Sequence, residues 1–195
     1  MSTFKIEDHY TLLTDYEGNS LRTFYIDKKG YIWFGTIDGI YIFDPTDGKL
    51  SHYKHSRTDP FSLPNNSIWE ISEDRQSNVW IGTYSGTLCY VNIDENNAFK
   101  TYHPQNSGLN HTPVSAFAED QQYLWVGTEG GGINRMNKAT GEFSYITSAN
   151  SITSNNIKSL ITDAGHNLWI STFMGGLDLY NVGRQKVTNF KHIKA

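Results

Sequence analysis

The chain has a single cysteine, Cys89, among 195 residues, so no internal disulfide framework is possible and a small buried hydrophobe in a strand is its simplest role. It has few basic residues, 16 Lys and Arg against 20 Asp and Glu, and they form no block. The electrostatic footprint of a nucleic-acid or anionic-membrane partner is therefore missing, and neither partner is expected. No apolar run approaches the roughly 18 residues of a membrane helix, and "MSTFKIEDHY" lacks the basic-then-apolar layout of a signal peptide. Either the chain is cytoplasmic or it belongs with flanking segments.

Aromatic residues, at 14%, and 17 glycines are well represented. With 37% hydrophobic residues and a mean hydropathy of -0.51, they describe a globular chain of short strands and turns. The stretch "YIWFGT" at Tyr31–Thr36 recurs as "NVWIGT" (Asn78–Thr83), "YLWVGT" (Tyr123–Thr128) and "NLWIST" (Asn167–Thr172). Its tryptophans, Trp33, Trp80, Trp125 and Trp169, are spaced by 47, 45 and 44 residues. A period in that range, with several short apolar runs per unit, is the signature of four-stranded propeller blades.

Each unit reads alike. Strand A carries Leu21/Phe24/Asp27, Ile68/Ile71/Asp74, Val114/Phe117/Asp120 and Ile157/Leu160/Asp163, and strand B carries the tryptophan. A glycine, Gly39, Gly86, Gly132 or Gly176, opens strand C where a tight turn needs positive φ or close approach. Strand D closes the unit with Leu50/Tyr53, Phe99/Tyr102, Phe143/Tyr145 and Val187/Phe190. The fold expected is all-β, a propeller segment of four blades over about 16–55, 63–103, 109–147 and 152–193, with no helix. Residues 1–10 fit a remnant outer strand of a preceding blade.

Four blades in an open arc would expose apolar faces, so a larger propeller is expected. In isolation, two copies should pair as a homodimer that closes an eight-blade ring.

The phased pattern Leu-x-x-Asn-x-Ile-x-x-Ile-x-Glu-Asp-x-x-x-Asn-x-Trp-Ile-Gly-Thr, followed by Gly-Gly-Leu-x-x-Tyr, is clearest in "LPNNSIWEISEDRQSNVWIGT" and "ITSNNIKSLITDAGHNLWISTFMGGLDLY". It resembles the two-component regulator propeller repeat of the sensor regions of bacterial hybrid histidine kinases. That resemblance implies a periplasmic sensor segment of an inner-membrane protein, responding in many members to breakdown products of complex glycans. Any kinase activity would lie in other parts of the parent chain, so this segment is not expected to be an enzyme or to hold a cofactor. Departures from the pattern are Ser171 in place of glycine, a shortened turn in "DQQYLW", and a loose match at "YEGNSL".

Residues written four times are architectural. The tryptophans pack blades with their indole N–H satisfied. The aspartates Asp27, Asp74, Asp120 and Asp163 should accept backbone or hydroxyl hydrogen bonds in the A–B turn, with Thr36, Thr83, Thr128 and Thr172 as possible partners. Specificity must come from unlike positions. Strand A lines the axis and carries Arg22, Trp69, Ser115 and Lys158, followed by Thr23, Glu70, Ala116 and Ser159; the B–C turns carry Tyr84, Glu129 and Phe173.

Aromatics beside charged and amide groups on such loops suit an oligosaccharide, so the ligand-binding candidates are Trp69, Arg22, Lys158, Tyr84, Glu70, Glu129 and Phe173. Solvated loops with no ligand are the alternative for these positions, which would leave a structural or protein-interaction propeller. A propeller lyase is a third reading, disfavoured because the seven histidines do not recur in phase. No metal site is expected: His52 and His55 would point to opposite faces of a strand, "EGGGIN" precedes no helix, and "DPTDG" is a hairpin turn.

Overall fold

A computed structural model describes residues 20–85, 88–92, 98–102 and 108–190. The remnant strand expected over 1–10 and the turn glycine Gly86 lie outside them. The described residues form four sheets of four strands, and no helix is present among them. The first sheet is β1 (Leu21–Ile26), β2 (Ile32–Thr36), β3 (Gly39–Asp44) and β4 (Lys49–Tyr53). The second is β5 (Ile68–Glu73), β6 (Val79–Thr83), β7 (Leu88–Val91) and β8 (Lys100–Tyr102). The third is β9 (Val114–Glu119), β10 (Tyr123–Thr128), β11 (Gly132–Asn137) and β12 (Phe143–Ile146), and the fourth is β13 (Ile157–Thr162), β14 (Asn167–Thr172), β15 (Gly176–Asn181) and β16 (Lys186–Phe190). Within each sheet the strands lie in chain order and pair antiparallel.

The A–B turn of every blade is built around its aspartate. Asp27 Oδ1 accepts the backbone N–H groups of Lys29 and Tyr31, and its Oδ2 accepts the indole N–H of Trp33 at 2.9 Å. Asp74, Asp120 and Asp163 hold Trp80, Trp125 and Trp169 in the same way, at 2.8, 3.0 and 3.0 Å. The shortened third turn closes one residue earlier: Asp120 N–H reaches the carbonyl of Tyr123, whereas Asp27 N–H reaches that of Tyr31.

The repeated threonines are not the partners of these aspartates. They stand at the other end of strand B, where the hydroxyls of Thr36, Thr128 and Thr172 donate to the carbonyls of Gly39, Gly132 and Gly176. Gly39, at φ +105°, is required there because a Cβ would run into the carbonyl oxygen of Tyr53.

The inner strands follow one another around the arc, β1 on β5, β5 on β9 and β9 on β13. Each blade turns Trp and Gly of strand B towards the next blade, which answers with the first two apolar residues of its own strand A. Trp33 thus packs with Ile68 and Ile71, Trp80 with Val114 and Phe117, and Trp125 with Ile157 and Leu160. Burying a ring of that size contributes about 2–3 kcal/mol at each of these three junctions.

Glycine after the tryptophan is a close-approach residue. A Cβ on Gly35 or Gly127 would come within 2.7 or 2.6 Å of the Cγ2 of Ile68 or Ile157, and one on Gly82 within 2.8 Å of the Val114 carbonyl oxygen.

In strand D one residue differs from expectation. Tyr53, Tyr102 and Phe190 pair with Ile40, Leu88 and Leu177, but in the third blade the equivalent partner of Ile133 is Ile146, not Tyr145. Side chains alternate along a strand, so the one-residue difference turns Tyr145 outward, where its hydroxyl donates to the Gly108 carbonyl.

Among the described residues nothing covers the two ends of the arc. Leu21, Phe24 and Ile26 occupy the face that would meet a preceding blade, and Phe24 is 65% exposed. Ile161, 64% exposed, with Leu177 and Phe190, occupies the face that would meet a following one. Trp169, alone among the four tryptophans, is only half-buried.

Candidate functional site

The D–A loops and B–C turns converge on one end of the arc through backbone hydrogen bonds. Gly39 N–H reaches Asn66 O, Tyr84 N–H reaches Ser67 O, Glu129 N–H reaches Pro113 O, and Phe173 N–H reaches Asn156 O. These bonds set the side chains that follow each turn beside the start of strand A, at the mouth of the axis.

Six of the seven candidates fall into two groups there. In the first, across blades 1 and 2, the Arg22 guanidinium lies 5.0 Å from the centre of the Trp69 ring while its Nη1 donates to Ser67 Oγ at 3.1 Å. Trp69 in turn meets Tyr84 with centroids 5.4 Å apart and planes inclined by 31°. Tyr84 is 50% exposed, and Asn65 Nδ2 donates to Ser85 Oγ at 2.9 Å beside it. The result is an aromatic shelf with a fixed cation and several hydroxyl and amide groups at its edge.

The second group spans blades 3 and 4. Lys158 Nζ donates to Glu129 Oε1 and also stands 5.5 Å from the centre of the Phe173 ring. Its charge is already matched by Glu129, so this group offers a ligand less than the first does.

Glu70 is not at the mouth. It neighbours Trp69 on β5, but it pairs opposite Gly82 and faces the junction between blades 2 and 3. Burial pushes its carboxyl up to about 7. Ser115, the third unlike strand A residue, is buried and donates to the Ile157 carbonyl at 2.7 Å, so it is spent on blade packing.

Ser67 and Asn65 belong to the first group beside Ser85 of the B–C turn, and neither was singled out from sequence. Their signal was available in the convergence of the long D–A connection on the following B–C turn, which places residues 17 to 20 apart side by side.

No group of three or more His, Cys, Asp or Glu able to hold a metal is found among the described residues. His52 on β4 bonds the Asp38 carbonyl through Nε2, while His55 lies beyond the end of that strand with Nδ1 at the Leu63 carbonyl. The two are therefore separated by the end of the strand rather than by its alternation. Asp44 closes a hairpin turn by accepting the Thr46 hydroxyl and N–H, which hold its carboxyl below the usual carboxylate range. Cys89 is buried, and desolvation raises its thiol well above the ordinary value.

Between blades 2 and 3 an outer cleft of about 210 Å³ is lined by Asn78, Trp80, Tyr90, Tyr102, Met136 and Lys138, among others. None of the seven candidates lines it.

Four-stranded meanders packed face to face around a shared inner edge define a β-propeller segment. The family model described as two component regulator propeller matches residues 15–38, 62–85 and 108–130. The chain is 27% identical over 194 residues to histidine kinase P4 of Formosa agariphila, covering 91% of this chain and 14% of the kinase.

Two solved structures from B. thetaiotaomicron are similar to it. One is the extracellular domain of the hybrid two component system BT3049, with TM-score 0.79, 22% identity, and 93% of this chain covered against 25% of that one. The other is the extracellular domain of the hybrid two component system BT4673, with TM-score 0.74, 26% identity, and 89% covered against 25%. The chain therefore spans about a seventh of the length of the curated relative and about a quarter of the two solved domains.

Proposed function

We propose that this chain is the signal-input propeller segment of a bacterial hybrid two-component sensor, lying in the periplasm as the extracytoplasmic part of an inner-membrane protein. Its ligand is an oligosaccharide released by glycan breakdown, received at the shelf of Arg22, Trp69 and Tyr84. The observation that carries this reading is the trio at the mouth of the axis, with Arg22 over Trp69 and Trp69 tilted against Tyr84.

An indole and a phenol side by side match the apolar face of a sugar ring, and the guanidinium, Ser67 and Asn65 can hydrogen-bond its hydroxyls or a uronate carboxylate. The names of the relatives, one a histidine kinase and two hybrid two component systems, support a signalling role for the parent chain.

Titration calorimetry of the chain against a panel of neutral and acidic oligosaccharides tests the proposal. One or more should bind, and Trp69→Ala or Arg22→Ala should weaken binding by about tenfold or more, a loss of about 1.4 kcal/mol. If none binds to the chain or to a longer segment containing it, the shelf is a structural feature and the propeller serves to hold neighbouring domains. The same reading includes the pairing of two four-blade arcs into one eight-blade ring.

A further inference from the structure

Two positions vary together around the arc. At each internal junction a glycine of strand B receives a β-branched residue from the next blade: Gly35 receives Ile68, Gly82 receives Val114 and Gly127 receives Ile157. On the open face of the fourth blade the glycine is replaced by Ser171, which pairs opposite Ser159 and Leu177. On the open face of the first blade the β-branched residue is replaced by Leu21. A Cβ at the glycine position leaves no room for a β-branched side chain, whereas leucine carries a single Cγ that can turn aside. The one blade without the glycine and the one blade without the β-branch are the two at the ends.

A second, separate position behaves in the same way. The residue after the turn aspartate faces the residue before the aspartate of the next blade. Lys28 meets Glu73, with Lys28 N–H donating to Glu73 Oε2 at 2.9 Å and the charges 3.8 Å apart, and Arg75 meets Glu119 at 3.5 Å. The third pair of positions is uncharged, Gln121 and Thr162. At the open ends the corresponding residues are Ala164 and Ile26, both exposed and both apolar. A lysine or glutamate at only one of them would have implied a charged partner elsewhere. Neither end carries one.

We propose that the open face of the fourth blade seats the open face of the first blade of a second copy, with Leu21 on Ser171, Phe24 on Trp169 and Ile26 beside Ala164. A two-fold axis then forms both junctions at once, and eight blades close without a free face. This inference rests on the ring pairing described above and specifies its register. It is independent of whether a sugar binds.

The test uses the whole chain and measures its mass in solution at low micromolar concentration, alone and as variants. Wild type should run at twice 22.2 kDa. Ile26→Glu should weaken the dimer at least about tenfold, because it places an unpaired carboxylate in the junction. Adding Ala164→Lys to Ile26→Glu should restore the dimer by recreating the pairing of Lys28 with Glu73.

Because Ile26 and Ala164 stand on opposite end faces, rescue requires contact between copies. Circular dichroism of Ile26→Glu should match wild type, since Ile26 is exposed in the single copy.

A monomeric wild type overturns both the ring and its register, leaving further blades of a longer chain as the occupant. A dimer indifferent to Ile26→Glu also overturns both, since another surface would then be joining the copies. A dimer weakened by Ile26→Glu but not rescued by Ala164→Lys overturns this register alone.

Discussion

The indole N–H of Trp80 donates to Oδ2 of Asp74 at 2.8 Å, while Oδ1 of the same carboxylate accepts the backbone N–H groups of Gln76 and Asn78 at 2.8 and 2.9 Å. One buried side chain thereby closes the A–B turn and orients the ring that packs against the next blade. The Asp74 side chain is buried, so its donors are needed in full.

Asp74→Ala should lower stability by about 3 kcal/mol or more, since it leaves the Trp80 N–H and two turn amides without their acceptor. Trp80→Phe should lower it by about 2 kcal/mol, keeping most of the ring burial but removing one donor from a buried carboxylate. Urea unfolding followed by tyrosine and tryptophan fluorescence checks both, and equal stabilities to wild type would show that the pair is decorative.

Gly127→Ala should lower stability by about 1–3 kcal/mol, because its Cβ would meet Ile157 Cγ2 at 2.6 Å and Ala116 Cβ at 3.2 Å. Ser171→Ala, at the equivalent place on the open face, should change it by less than about 0.5 kcal/mol. Thermal melts of the two variants compare a closed junction with an open one.

Glu70 makes stability depend on pH. Its carboxyl is raised from 4.5 to about 7 by burial, so the folded chain keeps a proton that the unfolded chain has released. The stability linked to this group is complete below about pH 4.5 and is lost as pH rises through about 7, by up to about 3 kcal/mol. Glu70→Gln should flatten that dependence, giving similar unfolding midpoints at pH 5 and pH 8 once other groups are allowed for by difference from wild type.

Gly30, Ser77 and His166 occupy the same place in three A–B turns, all with positive φ, at 89°, 64° and 59°. Gly30→Ala should cost about 1 kcal/mol, whereas Ser77→Gly should be neutral or stabilise by up to about 1 kcal/mol, because only glycine takes the left-handed region without strain. Chemical denaturation of the two single variants tests the opposite signs.

Much of the blade was legible because its decisive interactions are local. Asp27 reaches Trp33 across a single turn, and repeating that spacing four times gives strands, turns and facing residues together. Expectations failed where two ends of a strand had to be told apart. Thr36 and Asp27 lie close in sequence, yet strand B carries them to opposite ends of the blade, so they cannot bond. Tyr145 looked like the partner of Tyr53 by residue type, but pairing register puts Ile146 there. Residue type alone does not carry register.

The candidate site shows the same division. Seven unlike positions were visible against the repeats, and six of them reach the mouth of the axis. Their grouping was not visible: Arg22 over Trp69 and Lys158 with Glu129 join residues 47 and 29 apart through the packing of neighbouring blades. Glu70, adjacent to Trp69 in the chain, faces away because successive strand residues point to opposite sides.

By itself the sequence determined the repeat and the all-β blade, since both follow from short-range spacing of Asp, Trp and Gly. Only the tertiary structure decided which unlike residues share a site and which faces remain uncovered. Those depend on how one blade rotates against the next, and that rotation is set by contacts between residues tens of positions apart, such as Gly35 with Ile68.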